Sequence, residues 1–89
     1  MKGGYAPAMY YVYLLMCADK TLYTGYTVDL SKRFQMHNMG RGAKYTRSRL
    51  PVELAYFEVL PDKSSALKRE LEIKQLTRRG KMKLIGIDN

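Results

Sequence analysis

Eighty-nine residues, 46% of them apolar, make one domain with a modest core, and sixteen Lys and Arg against eight Asp and Glu leave a formal charge of +8 that favours polyanionic partners, nucleic acid first. One cysteine, Cys17, excludes a disulfide framework and a cysteine-rich zinc site and points to a reducing, cytoplasmic setting. No apolar run is long enough to span a membrane, so no membrane partner is expected, and the start lacks the apolar centre of a signal peptide.

Residues 1–9, with their Gly, Ala and Pro, read as a flexible N-terminal tail. Tyr10 to Cys17 (YYVYLLMC) is rich in aromatic and aliphatic residues and reads as a strand. Ala18–Lys20 is a tight turn, and Thr21 to Thr27 (TLYTGYT) a second strand, so the two form a hairpin. Large residues on both faces of the first strand predict helices covering the sheet. Thr27 is the expected N-cap of a helix whose first turn holds Asp29 and whose apolar stripe is Leu30 and Phe34; Asn38 and Gly40 end it. GRGAKYTRSRLP, with its glycines, proline and four basic residues, reads as a long exposed loop.

Val52 to Leu60 (VELAYFEVL) is the third expected strand. Asp62, Ser64 or Ser65 would cap a second helix from about Ala66 to Leu76, with Leu67, Leu71 and Ile73 facing inward. TRRGKMKLIGIDN is read as a basic turn and a short apolar segment, with residues 86–89 as a C-terminal tail to a single domain over 10–85. The expected class is α+β: a small, mainly antiparallel three-stranded sheet flanked by helices.

Arg33 and the chain's one histidine, His37, stand at i and i+4 and share a helix face offset from Leu30 and Phe34. Tyr23 lies on the strand that feeds this helix. Gly25 leaves room there for a close approach. Glu70 lies one turn after Ala66 on the second helix. Together they offer a fixed cation that matches phosphate oxygens, a proton shuttle, a phenol and one carboxylate able to hold a hydrated divalent cation, a set that suits phosphodiester cleavage. Singly, each has a plainer role: sheet packing for Tyr13 and Tyr23, a solvated charge for Arg33, a helix-end cation for His37. For Glu70, as for Glu72, the plainer role is a solvated face with Lys74.

In order and spacing the chain resembles a GIY-YIG nuclease domain over roughly residues 10 to 76, and looks most like its small stand-alone bacterial members. Tyr11-Val12-Tyr13 resembles the first signature and Tyr23-Thr24-Gly25 the second. YTGYTVDLSKRFQMH resembles the run into the Arg-x-x-x-His helix, ALKRELEIKQL the later helix with its glutamate, and Gly40–Arg47 the GRGAKYTR-like loop. Tyr11 stands where the family has glycine, and Val12 and Thr24 where it has isoleucine. The resemblance implies a metal-dependent endonuclease hydrolysing DNA at branched, damaged or single-stranded regions, with DNA rather than RNA as partner, a repair or recombination protein as a further one, and one Mg2+ or Mn2+ ion as cofactor.

It would make Tyr23 the general base or water-orienting group, Tyr13 the residue that positions phosphate or water, and Arg33 the stabiliser of phosphate charge. His37 would relay a proton or hold the tyrosine–water array, and Glu70 would be the metal ligand. Lys44, Tyr45, Arg47 and Arg49 in the loop, and Arg78 and Arg79 near the end, are candidate nucleic-acid contacts, with solvation as the plainer reading. The alternative function is a nucleic-acid-binding module on the same fold with weak or no hydrolysis.

Overall fold

Side-chain alternation along Tyr10–Met16 divides the molecule. In the computed structural model, which describes residues 9–87, Val12 and Leu14 of this strand (β1) enter one core cluster and Tyr13 and Leu15 the other. β1 is the middle strand. It pairs antiparallel with β2 (Leu22–Thr27) on one side and with β3 (Glu53–Leu60) on the other. In the β2 register Tyr13 faces Gly25. The β3 register shifts between Leu14, opposite Tyr56, and Leu15, opposite Leu54, so Ala55 is the extra residue of a bulge. The β1–β2 turn closes through Lys20, at φ +71°, with the Asp19 carboxylate accepting from the Thr21 amide and hydroxyl.

Helix α1 (Leu30–Asn38) and the short α2 (Lys44–Arg47) follow β2, and α3 (Lys63–Lys74) and α4 (Arg78–Ile85) follow β3. On one face Val12 and Leu14 pack with Ala66 and Ile73 of α3, bordered by Tyr56 and Leu60 of β3 and Leu84 and Ile85 of α4. On the other, Tyr13, Leu15, Cys17 and Val52 pack with Tyr23, Leu30, Phe34 and Leu50. The three-stranded antiparallel sheet with helices on both faces is the α+β class expected. The Asn38 side chain ties α1 to the start of β3, accepting from the Val52 amide at 2.7 Å and donating to its carbonyl at 3.0 Å. Arg69 grips Glu58 with two nitrogens at 2.8 Å, fixing α3 to β3 and holding the Glu58 carboxyl below its usual range. No helix among the described residues is long and apolar enough to cross a membrane.

Several local expectations change. The N-cap of α1 is Asp29, whose carboxylate accepts from the Lys32 amide at 3.1 Å. Thr27 ends β2 and its hydroxyl accepts from the Asp29 amide, so it shapes the turn into the helix instead of capping it. The GRGAKYTRSRLP stretch is not wholly exposed: it contains α2, and Thr46 is fully buried. Helix α3 begins at Lys63, capped by Asp62, and its inner stripe is Ala66 and Ile73, with Leu67 and Leu71 turned outward at 41% and 56% exposure. The segment after Thr77 is a helix, α4, capped by the Thr77 hydroxyl and ended by Gly86 in the left-handed conformation. Apart from Met9, Gly86 and Ile87, the expected tails at 1–9 and 86–89 lie outside the described residues.

Candidate active site

Tyr13 sits at the centre of the sheet, 2% exposed, between Gly25 on β2 and Phe57 on β3. Gly25 is required by its neighbour: a Cβ there would lie 2.5 Å from the Tyr13 hydroxyl oxygen and 2.7 Å from Cζ. The two signature motifs are thus one object, with the tyrosine of the first lying across the glycine of the second. Tyr13 Oη is 2.9 Å from Nε2 of His37, which α1 delivers from its last turn and which is 1% exposed. The other ring nitrogen, Nδ1, is 2.8 Å from the hydroxyl of Thr46 on α2. Gly42 closes over the imidazole, where a Cβ would come within 2.3 Å of Nδ1.

Tyr23 is half-buried beside this pair, its ring centroid 5.3 Å from that of His37 and 6.4 Å from that of Tyr13. The ring of Tyr45 stacks on Tyr23 at 6.0 Å and 24°, and the Arg49 guanidinium sits 3.9 Å from the Tyr45 centroid. Arg49 is further held by the Asp19 carboxylate at 3.0 Å and the Tyr45 carbonyl at 2.7 Å. Arg33 is exposed and, with Lys32 and Thr27, lines an open depression at the start of α1.

Electrostatics put the two buried groups in defined states. Burial, first, and then the Arg33 charge lower the basicity of His37, so at neutral pH the ring is an uncharged imidazole. Burial pushes the Tyr13 hydroxyl up, with Tyr23 and Glu70 adding to the shift and Arg33 opposing it. Arg33 of α1 and Glu70 of α3 therefore both act on Tyr13, with opposite sign.

Tyr13, Tyr23 and His37 are in mutual contact, and Arg33 stands at their edge. Glu70, on α3 and 15% exposed at its side chain, makes an ion pair with Lys74 at 3.4 Å and reaches the cluster through its field. Tyr11 packs against Phe57, and Val12 belongs to the opposite core cluster. Among the candidate nucleic-acid contacts, Lys44, Tyr45, Arg47, Arg78 and Arg79 are exposed. Arg78 donates to the Lys20 carbonyl at 2.7 Å. With Arg49 on Asp19, the two basic clusters meet at the β1–β2 turn. Two residues not singled out from the sequence, Thr46 and Gly42, shape the site. They stand in the GRGAKYTR stretch, between its basic residues.

Among the described residues no three His, Cys, Asp or Glu side chains converge as a metal cage. The Glu70 carboxylate, paired with Lys74, offers oxygen donors of the kind a hard divalent cation takes.

The profile of the GIY-YIG catalytic domain matches residues 9–84. A UPF0213 protein of Syntrophus aciditrophicus is 55% identical over 76 residues, covering 84% of this chain and 87% of that one. Another, of Staphylococcus saprophyticus, is 54% identical over 77 residues, covering 86% and 94%. The solution NMR structure of a UPF0213 protein from Bacillus halodurans superposes with a TM-score of 0.58 at 44% identity, over 89% of this chain and 84% of that one. That of a protein from E. faecalis gives 0.61 at 39%, over 88% and 83%. With the paired signatures and the Arg33–His37 helix converging on one buried tyrosine, the chain belongs to the GIY-YIG family.

Proposed function

We propose that the protein is an endonuclease that hydrolyses phosphodiester bonds in DNA, at branched, damaged or single-stranded regions. The observation that carries this reading is the buried Tyr13–His37 hydrogen bond at 2.9 Å, beside an exposed Arg33 that has no carboxylate partner among the described residues. A buried phenol bonded to a neutral imidazole is a proton-accepting pair, and an exposed guanidinium next to it is a phosphate anchor.

A water oxygen, oriented by Tyr23, attacks the phosphorus. Its proton passes to Tyr13 Oη as the phenolic proton passes to His37. The bond from phosphorus to the leaving strand breaks with its electron pair on the departing oxygen, which takes a proton from solvent, and His37 later returns its proton to solvent. Arg33 binds a non-bridging oxygen and opposes the charge that builds there. Glu70 would hold one hydrated Mg2+ or Mn2+ ion, which when bound supplies further charge neutralisation at the phosphate. Lys44, Arg47 and Arg79 contact the backbone on either side of the β1–β2 turn.

The test is cleavage of labelled single-stranded, duplex and branched DNA and RNA with magnesium, manganese or chelator, wild type beside Glu70→Ala. Metal-dependent products from wild type alone, with Glu70→Ala retaining binding, are expected. Salt-sensitive binding without products in either protein under every condition would replace hydrolysis by the binding-module function.

A further inference from the structure

Thr46 bonds the ring nitrogen of His37 that Tyr13 does not use, and the hydrogen-bond directions around it are fixed. Its hydroxyl has one proton and donates it to the Ala43 carbonyl at 3.0 Å, an acceptor that cannot donate in return. The contact from Thr46 Oγ1 to His37 Nδ1 at 2.8 Å must then be filled by a proton on Nδ1. In the neutral ring this leaves Nε2 as a bare lone pair, so the Tyr13 phenol donates to it across 2.9 Å. The reverse arrangement, with the proton on Nε2, would turn the Thr46 hydroxyl away from Ala43 and leave the Tyr13 O–H without a protein acceptor among the described residues, in a site where that residue is 2% exposed. A phenol proton stranded at such depth costs about 1–3 kcal/mol. One tautomer satisfies three hydrogen bonds and the other two.

We infer that Thr46 is a positioning residue of the GIY-YIG site: from the short helix α2 it locks His37 as the Nδ1–H tautomer and so points the basic nitrogen at Tyr13. Gly42 completes the lock by letting the backbone close on the imidazole, with space for no side chain beyond hydrogen. The buried, uncharged state of the ring agrees with this arrangement. The relay then runs one way, from the Tyr13 phenol to Nε2, while the Nδ1 proton stays on His37, donated to Thr46 Oγ1, throughout. In its catalytic use the inference rests on the hydrolytic reading above; in its structural content it does not.

His37 is the only histidine in the chain, so a protein labelled with 15N in histidine gives one ring to observe. Long-range proton–nitrogen NMR spectra at neutral pH distinguish a protonated Nδ1 from a protonated Nε2 without reference to activity. The wild type is expected to show protonated Nδ1 and unprotonated Nε2. Thr46→Val, close in shape and without the hydroxyl, is expected to shift the ring toward the other tautomer and to lower DNA cleavage about 10- to 100-fold, the size of loss seen when partners that orient metal-bound histidines are removed. Thr46→Ser is expected to restore both.

A wild-type ring protonated on Nε2 would overturn the inference outright. So would a folded Thr46→Val that keeps tautomer and rate, or a Thr46→Ser that restores the fold and neither. If Thr46→Val does not fold, the wild-type and Thr46→Ser spectra decide the point. A wild type with the Nδ1–H ring but no cleavage of any substrate would support the lock while removing the hydrolytic reading.

Discussion

Gly25→Ala tests the assembled site at a single atom. The new methyl would stand 2.5 Å from Tyr13 Oη, 2.7 Å from Cζ and 3.1 Å from Cε2 of Tyr23, where ordinary contact needs about 3.5 Å. The Tyr13 ring must move by about 1 Å, and it is enclosed between two strands and α1 with 2% of its surface free. Overpacking of this kind costs about 1–3 kcal/mol. Stretching the 2.9 Å bond to His37 adds about 1 kcal/mol. The sum, about 2–4 kcal/mol, should lower the melting temperature by roughly 10–30 °C in a domain of this size.

Cleavage should fall further than stability accounts for, by about 100-fold at a temperature where both proteins are folded, since a misplacement of about 1 Å at a reacting group has that effect. Denaturant titration and single-turnover cleavage measure the two quantities. A double-mutant cycle with Tyr13→Ala isolates the contact: without the ring, Gly25→Ala should cost less than about 0.5 kcal/mol beyond its effect on strand propensity. A Gly25→Ala protein as stable and active as wild type would refute the geometry, and an unchanged cost in the Tyr13→Ala background would refute the assignment of the cost to that ring.

Ile73→Ala should destabilise by about 2–4 kcal/mol, because Ile73 is fully buried against Val12 and Leu14, while Leu71→Ala, 56% exposed, should stay within about 0.5 kcal/mol; thermal melts of both settle the facing of α3. His37 also sets a pH dependence. Its folded basicity is below the ordinary value of about 6.5, so as pH falls through the ordinary histidine range the unfolded chain takes up a proton that the folded chain resists, and stability falls. Melting temperature should therefore drop between about pH 7 and about pH 5, before the carboxylates titrate, and His37→Gln should flatten that slope; an equal slope in both proteins would place its origin elsewhere.

The sheet and α1 were legible because they follow local rules: alternation along β1, a turn at Ala18–Lys20, apolar spacing at Leu30 and Phe34; the burial of His37, while Arg33 four residues earlier stays exposed, was not. What escaped sequence reading has physical causes. The inner stripe of α3 is built on Ala66, Glu70 and Ile73, so its seam contains a small residue and a carboxylate, and the larger Leu67 and Leu71 outweigh it in any hydrophobic pattern. Helix α4 carries four basic residues and Gly80 in eight positions, which reads as a turn until Leu84 and Ile85 find the core. Thr46 is surrounded in sequence by Lys44, Tyr45 and Arg47, and a single turn of helix has no periodicity to show that its third residue is buried. The role of Thr46 becomes visible only when a residue nine positions earlier is placed beside it.

Gly42 carries a consequence for descent. The imidazole of His37 fills the volume a side chain at position 42 would need, so neither position can change alone in the larger direction. A lineage that kept the histidine would be bound to glycine five residues later, and one that gave it up would be released to accept alanine, serine or more. Substitutions at 37 and 42 should then travel together through related chains, and a side chain at 42 would mark a protein that no longer keeps the buried histidine.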